Sequence, residues 1–261
     1  MNSFKNNKQI WGKNNIVDPF DNKKGWLGQL LPPEKVILNI IKEKKLSAML
    51  DIGVGAGRTS SYFSSNFNQY HGIDYSSAMI DSCRKKFSKN KNLKFQVLDA
   101  RDMSIYSDNS FDFILFSYNG IDYVNDRDRN KILCEIYRIC KPGGYFSFST
   151  HNIFSIKKYY KIKMSFHPMR LLRNIKYYLK FVKMNPGLKS NINNPFVYVN
   201  DPGGSWNLLT YYINPMVQVE KLKIIGFKKI KKFNLINGLE CELDEITNNE
   251  KNKWIYFLAK K

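Results

Sequence analysis

Between residues 32 and 152, apolar residues fall alternately into short runs and helical stripes. Pro32-Pro33-Glu34 opens a helix, because proline suits a first turn whose amides lack partners; Val36, Ile37, Ile40 and Ile41 then recur along one side. Leu46, Ala48, Met49 and Leu50 make a short apolar run. Residues 70–73, ending at Asp74, and residues 93–98 predict two further strands. Residues 111–116 hold five apolar residues in six, the mark of a strand buried on both faces of a parallel sheet. Ile132, Leu133, Ile136 and Ile139 return to helical spacing, Lys141-Pro142-Gly143-Gly144 stops that helix, and residues 145–150 alternate as a strand. Strands that alternate with helices predict an α/β fold.

The flanks differ. Residues 1–31 are polar with isolated aromatics (Phe4, Trp11, Phe20, Trp26) and read as an N-terminal arm or lid. Residues 153–210 match no core element. They predict one amphipathic basic helix, about 168–184, then a turn-rich stretch with Pro186, Pro195, Pro202, Gly203 and Gly204. Leu171, Leu172, Ile175, Tyr178, Leu179 and Val182 supply the apolar face of that helix. Packing against its own domain is favoured for this face over a membrane-surface or partner-binding role. Residues 212–226 read as a helix ending near Gly226, 227–233 and 254–258 as an antiparallel edge hairpin, and 244–253 as a loop. The expected organisation is an arm (1–31), a core (32–152), an insertion (153–210) and the remainder of the core (211–261).

The chemistry starts at Asp51-Ile52-Gly53-Val54-Gly55-Ala56-Gly57, between the first strand and a helix-compatible segment. Glycines at alternate positions let the backbone turn sharply and let a ligand approach its amides; a following helix N-terminus favours negative or polar groups. A dinucleotide fingerprint would require Gly or Ala where Arg58 stands, which disfavours a dehydrogenase. Asp74 closes the second strand, where a carboxylate can accept both hydroxyls of a ribose. The fourth strand ends in Ser117, Tyr118 and Asn119, polar groups at the carboxyl edge where open α/β sheets bind ligands.

In order and spacing, residues 46–152 resemble the core of the class I S-adenosylmethionine (SAM)-dependent methyltransferases. The acid followed by G-x-G-x-G matches their first motif, and the K-P-G-G turn before the fifth strand is a habit of the family. The resemblance implies a Rossmann-like, mostly parallel seven-stranded sheet with an antiparallel edge hairpin. It implies SAM as cofactor, held by Asp51, Gly53, Gly55, Gly57, Asp74, Tyr75, Asp99, Ala100, Arg101 and Ser117, with Asp99 meeting the adenine amino group and the next amide its ring. It places the acceptor against Tyr118, Asn119, Asp122 and Tyr123, under a cap formed by the insertion, with Tyr211 and Tyr212 on the far side.

Among three histidines, His71 falls on the second strand and His167 in the insertion, and His151 follows the fifth strand at the acceptor edge. An imidazole titrates near neutrality, which makes His151 the candidate base; an orienting role is the alternative. No metal is expected, since the methyl donor is already activated and the four cysteines show no metal-ligand spacing.

Composition narrows the acceptor. Lys and Arg total 42 against 22 Asp and Glu, a net charge of +20. Codon drift in an AT-rich genome accounts for excess Lys and Asn but not for the distribution: no acid stands between Glu135 and Asp201. A one-signed patch attracts anions, and His167, Arg170 and Arg173 become candidate acceptor contacts. The segments 117–124, 149–152 and 211–215 are similar to bacterial methyltransferases of surface-polysaccharide or sugar-nucleotide modification. They imply O-methylation of an anionic, phosphorylated or nucleotide-linked precursor. An RNA methyltransferase and an amino-sugar N-methyltransferase remain the alternatives. No signal-peptide pattern or apolar run of membrane-spanning length occurs, so a cytoplasmic protein is expected.

Overall fold

Strand β1 (Ala48–Ile52) is buried along its whole length and lies inside the sheet with a parallel strand on either side. A computed structural model describes residues 28–201, 206, 208–247 and 252–261, together with Phe4, Asn7 and Ile10. Parallel to β1 run β2 (Gln69–Asp74) and β3 (Leu93–Val97) on one side, β4 (Phe111–Phe116) and β5 (Cys140–Asn152) on the other. Beyond β5, β9 (Trp254–Lys260) and then β8 (Lys228–Asn234) close the edge as the expected antiparallel hairpin. Helices cover both faces, which is why β1 and β4 are apolar except for Asp51 and Asp112.

Alternation assigns the two faces. Leu50, Ile52, Ile114 and Phe116 pack under α4 (Asp126–Ile139) and α7 (Pro215–Ile225). Met49, Phe113 and Leu115 pack under α1 (Pro32–Lys42) and α3 (Ser77–Lys86), with Phe63 of the short α2 (Ser60–Phe63) between. Helix α1 is rotated from the expected face. Its buried side is Pro33, Glu34, Ile37, Leu38 and Ile41, and Val36 and Ile40 are only half-buried. The reason is Glu34, which turns inward to an ion pair described below. Helix α4 ends at Ile139, and 141–144 bulge from β5 opposite the single residue Asp112, with Gly143 at φ +79°. Gly226, at φ +117°, ends α7 as expected.

Among the described residues the sheet has nine strands, not seven. The extra pair is β6 (Phe196–Asn200) and β7 (Leu209–Ile213), an antiparallel hairpin where turns were expected. His151 pairs with both Tyr212 of β7 and Trp254 of β9, so β7 joins β5 on the β4 side, past the end of β4. The sequence hid these strands because both are short and the loop between them is rich in Pro and Gly. β7 also crosses the expected boundary at 210. Residues 243–247 form a short helix, α8 (Leu243–Thr247), instead of loop.

The insertion has its own small core: Ile153, Ile156, Phe181, Leu188, Val197, Val199 and Tyr212. Helix α5 spans Pro168–Met184 as expected, but Phe181 is its one fully buried residue among those described. The expected packing of its apolar face is therefore corrected: Leu172, Leu179 and Val182 are exposed, and Leu171, Ile175 and Tyr178 only half-buried. Short α6 (Leu188–Asn191) follows. Of the expected arm, Trp11, Phe20 and Trp26 lie outside the described residues. Asn7 is buried; its amide bonds the Tyr123 carbonyl (3.1 Å) and both backbone groups of Leu209 (2.7 and 3.1 Å). No helix among the described residues is long and apolar enough to cross a membrane.

Phe181 packs against Tyr159 and Tyr160 (ring centroids 4.9 and 5.3 Å) and holds α5 to the insertion. Phe181→Ala should cost roughly 3–5 kcal/mol of local stability. Limited proteolysis should then cut within 153–210 while cofactor affinity of the core persists; loss of both together would make insertion and core one cooperative unit.

Candidate active site

The cleft opens at the carboxyl edge, where β1 and β4 exit the sheet. Its walls are the 51–56 glycine turn, Arg58 and Thr59, Ile73 to Tyr75, Met79, Leu98, Ala100, and Phe116 to Tyr118 with Gly120 and Tyr123. Gly53 and Gly55 sit at φ +64° and +55°. A Cβ on Gly55 would meet nothing within 4 Å among the described residues, so the turn presents open space to the cleft. Gly57 does otherwise: a Cβ there would strike Phe87 at 2.6 Å, so this glycine serves helix packing. Asp74 takes the Gly55 amide on one oxygen (3.1 Å) and the Ser76 amide on the other (2.9 Å). Burial raises its pKa against those bonds. A glycine cradle, an acid at the end of β2, and the apolar Leu98, Met79 and Ile73 suit backbone-held, hydroxyl-bearing and adenine-like parts of one ligand.

Asp99 and Arg101 do not line this cleft. They pair with each other (2.7 and 2.9 Å), and Arg101 also reaches Asp128 (2.9 Å). Their flanks, Leu98 and Ala100, form the wall, so at this position an apolar surface replaces the expected carboxylate contact.

Arg58, read in the sequence only as an argument against a dinucleotide, is part of the site. It forms a forked pair with buried Glu34 (2.6 and 2.7 Å), bonds the Gln29 carbonyl (3.1 Å), and lies 5.5 Å from the Tyr118 ring centre. Glu34 also accepts from the Ser117 hydroxyl, from Tyr256 (3.1 Å) and from the Leu31 amide (2.7 Å). Burial alone raises this carboxyl, but the Arg58 charge and these bonds hold it below its usual pKa. The sequence signal was a charge on the buried stripe 34, 37, 38, 41 of α1.

Tyr118 and Asn119 follow β4 in left-handed backbone, φ +56° and +59°. Such strain persists where a site over-determines it. The Asn119 amide hydrogen bonds Ser149 Oγ (2.8 Å), while its side-chain nitrogen and oxygen are buried and meet no partner among the described residues. Its neighbours Tyr118 and Gly120 line the cleft, and Asn119 itself is buried behind that wall. The 3₁₀ turn Gly120–Tyr123 then sends Tyr123 toward the cleft and Asp122 behind it.

Asp122 is the anchor of His151. One carboxylate oxygen accepts from His151 N (2.7 Å) and contacts Nδ1 (2.8 Å); the other accepts from Thr150 (2.7 Å) and Arg129 (3.3 Å). With Asp122 ionised opposite buried Arg129, Nδ1 carries the proton and Nε2 presents a lone pair. Nε2 lies 3.8 Å from Asp201, which also accepts from Tyr212 (2.5 Å). His151 does not touch the cofactor cleft. Tyr123 joins the two regions: its ring lines the cleft, and burial together with the charges of Asp201 and Asp122 raises its pKa. Arg129 could have been found from sequence, since it extends the buried stripe 132, 133, 136 of α4 by one turn; Asp201 carried no local signal.

The remaining expected contacts stand elsewhere. Tyr211 is buried beneath Arg129 (4.8 Å) with its hydroxyl on Asp126 (2.5 Å), and Tyr212 takes the place at His151. His167, Arg170 and Arg173 are exposed on and before α5, and none lines the cleft. His71 packs on Tyr106 and Phe111.

Asp51 yields a test by pH. It is fully buried, accepts from Thr59 (2.5 Å) and Tyr70 (2.6 Å), and burial pushes its pKa up to about 6. The folded state thus holds this proton more tightly than the unfolded chain. Its stabilising contribution is full below the unfolded value of about 4 and is lost as pH rises through about 6, on the order of 3 kcal/mol. Thermal melts without cofactor should show Asp51→Asn gaining on the parent between those pH values; parallel curves would contradict the assignment.

Comparison with known proteins agrees with this geometry. Residues 49–144 match the model of a methyltransferase domain. Over 233 residues, 88% of this chain and 85% of the relative, the chain is 24% identical to phosphoethanolamine N-methyltransferase of Plasmodium falciparum. The fold is shared with a 1,6-didemethyltoxoflavin N1-methyltransferase of Burkholderia thailandensis holding S-adenosylhomocysteine (TM-score 0.62, 12% identity, 99% of this chain and 87% of that one). It is also shared with phosphoethanolamine N-methyltransferase 2 of Haemonchus contortus, holding phosphomonomethylethanolamine and S-adenosylhomocysteine (TM-score 0.57, 19% identity, 100% of this chain and 60% of that one). With the glycine cradle, the β2 acid and the strand order in place, residues 49–144 carry a methyltransferase domain, and the chain has the fold of SAM-dependent methyltransferases.

Proposed function

We propose that this methyltransferase acts on a hydroxyl of a small anionic acceptor, a phosphorylated or nucleotide-linked precursor such as those of surface polysaccharides, with His151 as base. The observation that carries the placement of the acceptor is Asn119, whose buried amide is without a partner among the described residues, next to Tyr118 and Tyr123 on the cleft wall. Bound SAM supplies an electrophilic methyl group on a sulfonium. The protein's part is to hold the acceptor atom in line and to receive its proton. Asp122 fixes the His151 tautomer so that Nε2 takes that proton, and Asp201 faces the imidazolium that results. Asn119 orients the acceptor, and Ser117, Gly53, Gly55, Asp74 and Tyr75 hold the cofactor. Residues 153–210 cap the acceptor side, and their one-signed charge draws anions toward it.

A second reading places the methyl on an amine. The full-length similarity to a phosphoethanolamine N-methyltransferase favours it, and a protonated amine needs the same base. Mass gain from labelled SAM across phosphorylated alcohols, phosphorylated amines and nucleotide-linked sugars decides between oxygen and nitrogen. Methylation of RNA alone would overturn both readings.

His151→Ala should lower kcat by roughly 10²–10⁴, the usual worth of a positioned base, with SAM affinity retained. A kcat within a few-fold of the parent would reject His151 as base. Gly55→Val should abolish SAM binding in calorimetry at a folding cost of only about 1–2 kcal/mol of backbone strain, because its side chain meets no protein and enters the cleft. Retained SAM affinity would place the cofactor elsewhere.

A further inference from the structure

Helix α5 and the segment before it present apolar side chains with nothing packed on them among the described residues. Phe166 projects fully into solvent, Met164 is 81% exposed, Met169 68% and Leu179 58%. At the helical period Leu171, Leu172, Ile175, Leu179 and Val182 share one stripe, adjacent to the side on which Phe181 is buried. Lys176 and Lys183 run along one edge of that stripe, with Lys180 behind them. Ile162, also exposed, continues the apolar surface toward Met164, with Lys161 and Lys163 interleaved.

We propose that this face docks the enzyme on an anionic lipid bilayer, with Phe166, Leu172 and Leu179 entering the headgroup boundary and the lysines meeting lipid phosphates. Charge complementarity selects this occupant. The interval from 136 to 200 contains no acid, so the same face of a second copy would meet it with like charge. Single-stranded RNA stacks successive bases on a series of rings, whereas among the described residues of this face Phe166 alone projects fully, the stripe on α5 is aliphatic, and Tyr177 is set against Trp206 (5.3 Å). An apolar stripe edged by lysine is the pattern of a helix lying in a membrane interface. The enzyme would then work at a membrane surface without a span, and the inference is independent of which acceptor is methylated.

Vesicle co-sedimentation of the full chain tests it. Vesicles of phosphatidylcholine mixed with phosphatidylglycerol should bind the protein, and pure phosphatidylcholine should bind it weakly. Raising salt should weaken binding to the charged vesicles. Leu172→Glu with Leu179→Glu should abolish binding. Lys176→Gln and Lys183→Gln together should lower partitioning by about thirtyfold. All these side chains are exposed, so melting temperature and SAM affinity should stay at parental values and show that lost binding is not misfolding. Three results would overturn the proposal: no binding to anionic vesicles at low salt, binding that survives the glutamates, or a concentration-dependent dimer that the glutamates dissolve.

Discussion

A guanidinium sealed from solvent, that of Arg129, constrains the carboxyl ends of β4 and β5 in this enzyme. A buried cation without a counter-charge costs several kcal/mol, so Asp122 must stand against it as an anion. That requirement pulls the 3₁₀ turn after β4 onto the end of β5. It aligns Thr150 and His151 by hydrogen bonds to the same carboxylate, and it leaves Gln218 of α7 to take the other guanidinium nitrogen (2.8 Å). The 3₁₀ turn, α4, β5 and α7 therefore share one electrostatic solution. The tautomer of His151 follows from it, since an ionised carboxylate on Nδ1 can only accept.

The cofactor half repeats the device. Glu34 and Arg58 form a buried pair that draws α1 over the glycine turn and ties in Ser117 at the β4 exit and Tyr256 on β9. Such pairs are weak sources of stability, because desolvation offsets most of the attraction, but breaking one by removing a partner is costly. They act here as registers. Between them, the strained Tyr118–Asn119 backbone is held from both sides, which lets a buried amide remain without a hydrogen-bonding partner among the described residues. The site is thus pre-formed along β4 and β5, and its polar groups face the carboxyl edge.

The insertion obeys other rules. Its core is small, and it borrows Tyr212 from the sheet to complete it. Helix α5 is long but attached mainly through Phe181, with the rest of its apolar side chains half-buried or exposed. A segment organised in this way can offer a surface without disturbing the core.

Periodicity in the sequence was enough for the central strands, the length of α5, the glycine cradle and the edge hairpin, because those features depend on neighbours within a few residues. The family resemblance extended that to the cofactor and to the position of Asp74. What sequence could not supply were partners across long separations. Glu34 meets Arg58, Asp122 meets His151, and Asp201 arrives at Nε2 from a hairpin that turn signals concealed. The Asp99–Arg101 pair shows the same limit in reverse: two residues of a motif neutralise each other and leave the wall to Leu98 and Ala100. Local pattern decides which segments become strands and helices, since backbone hydrogen bonding and burial on one face are local or periodic. Which charges find each other in a low-dielectric interior is decided only when the elements pack.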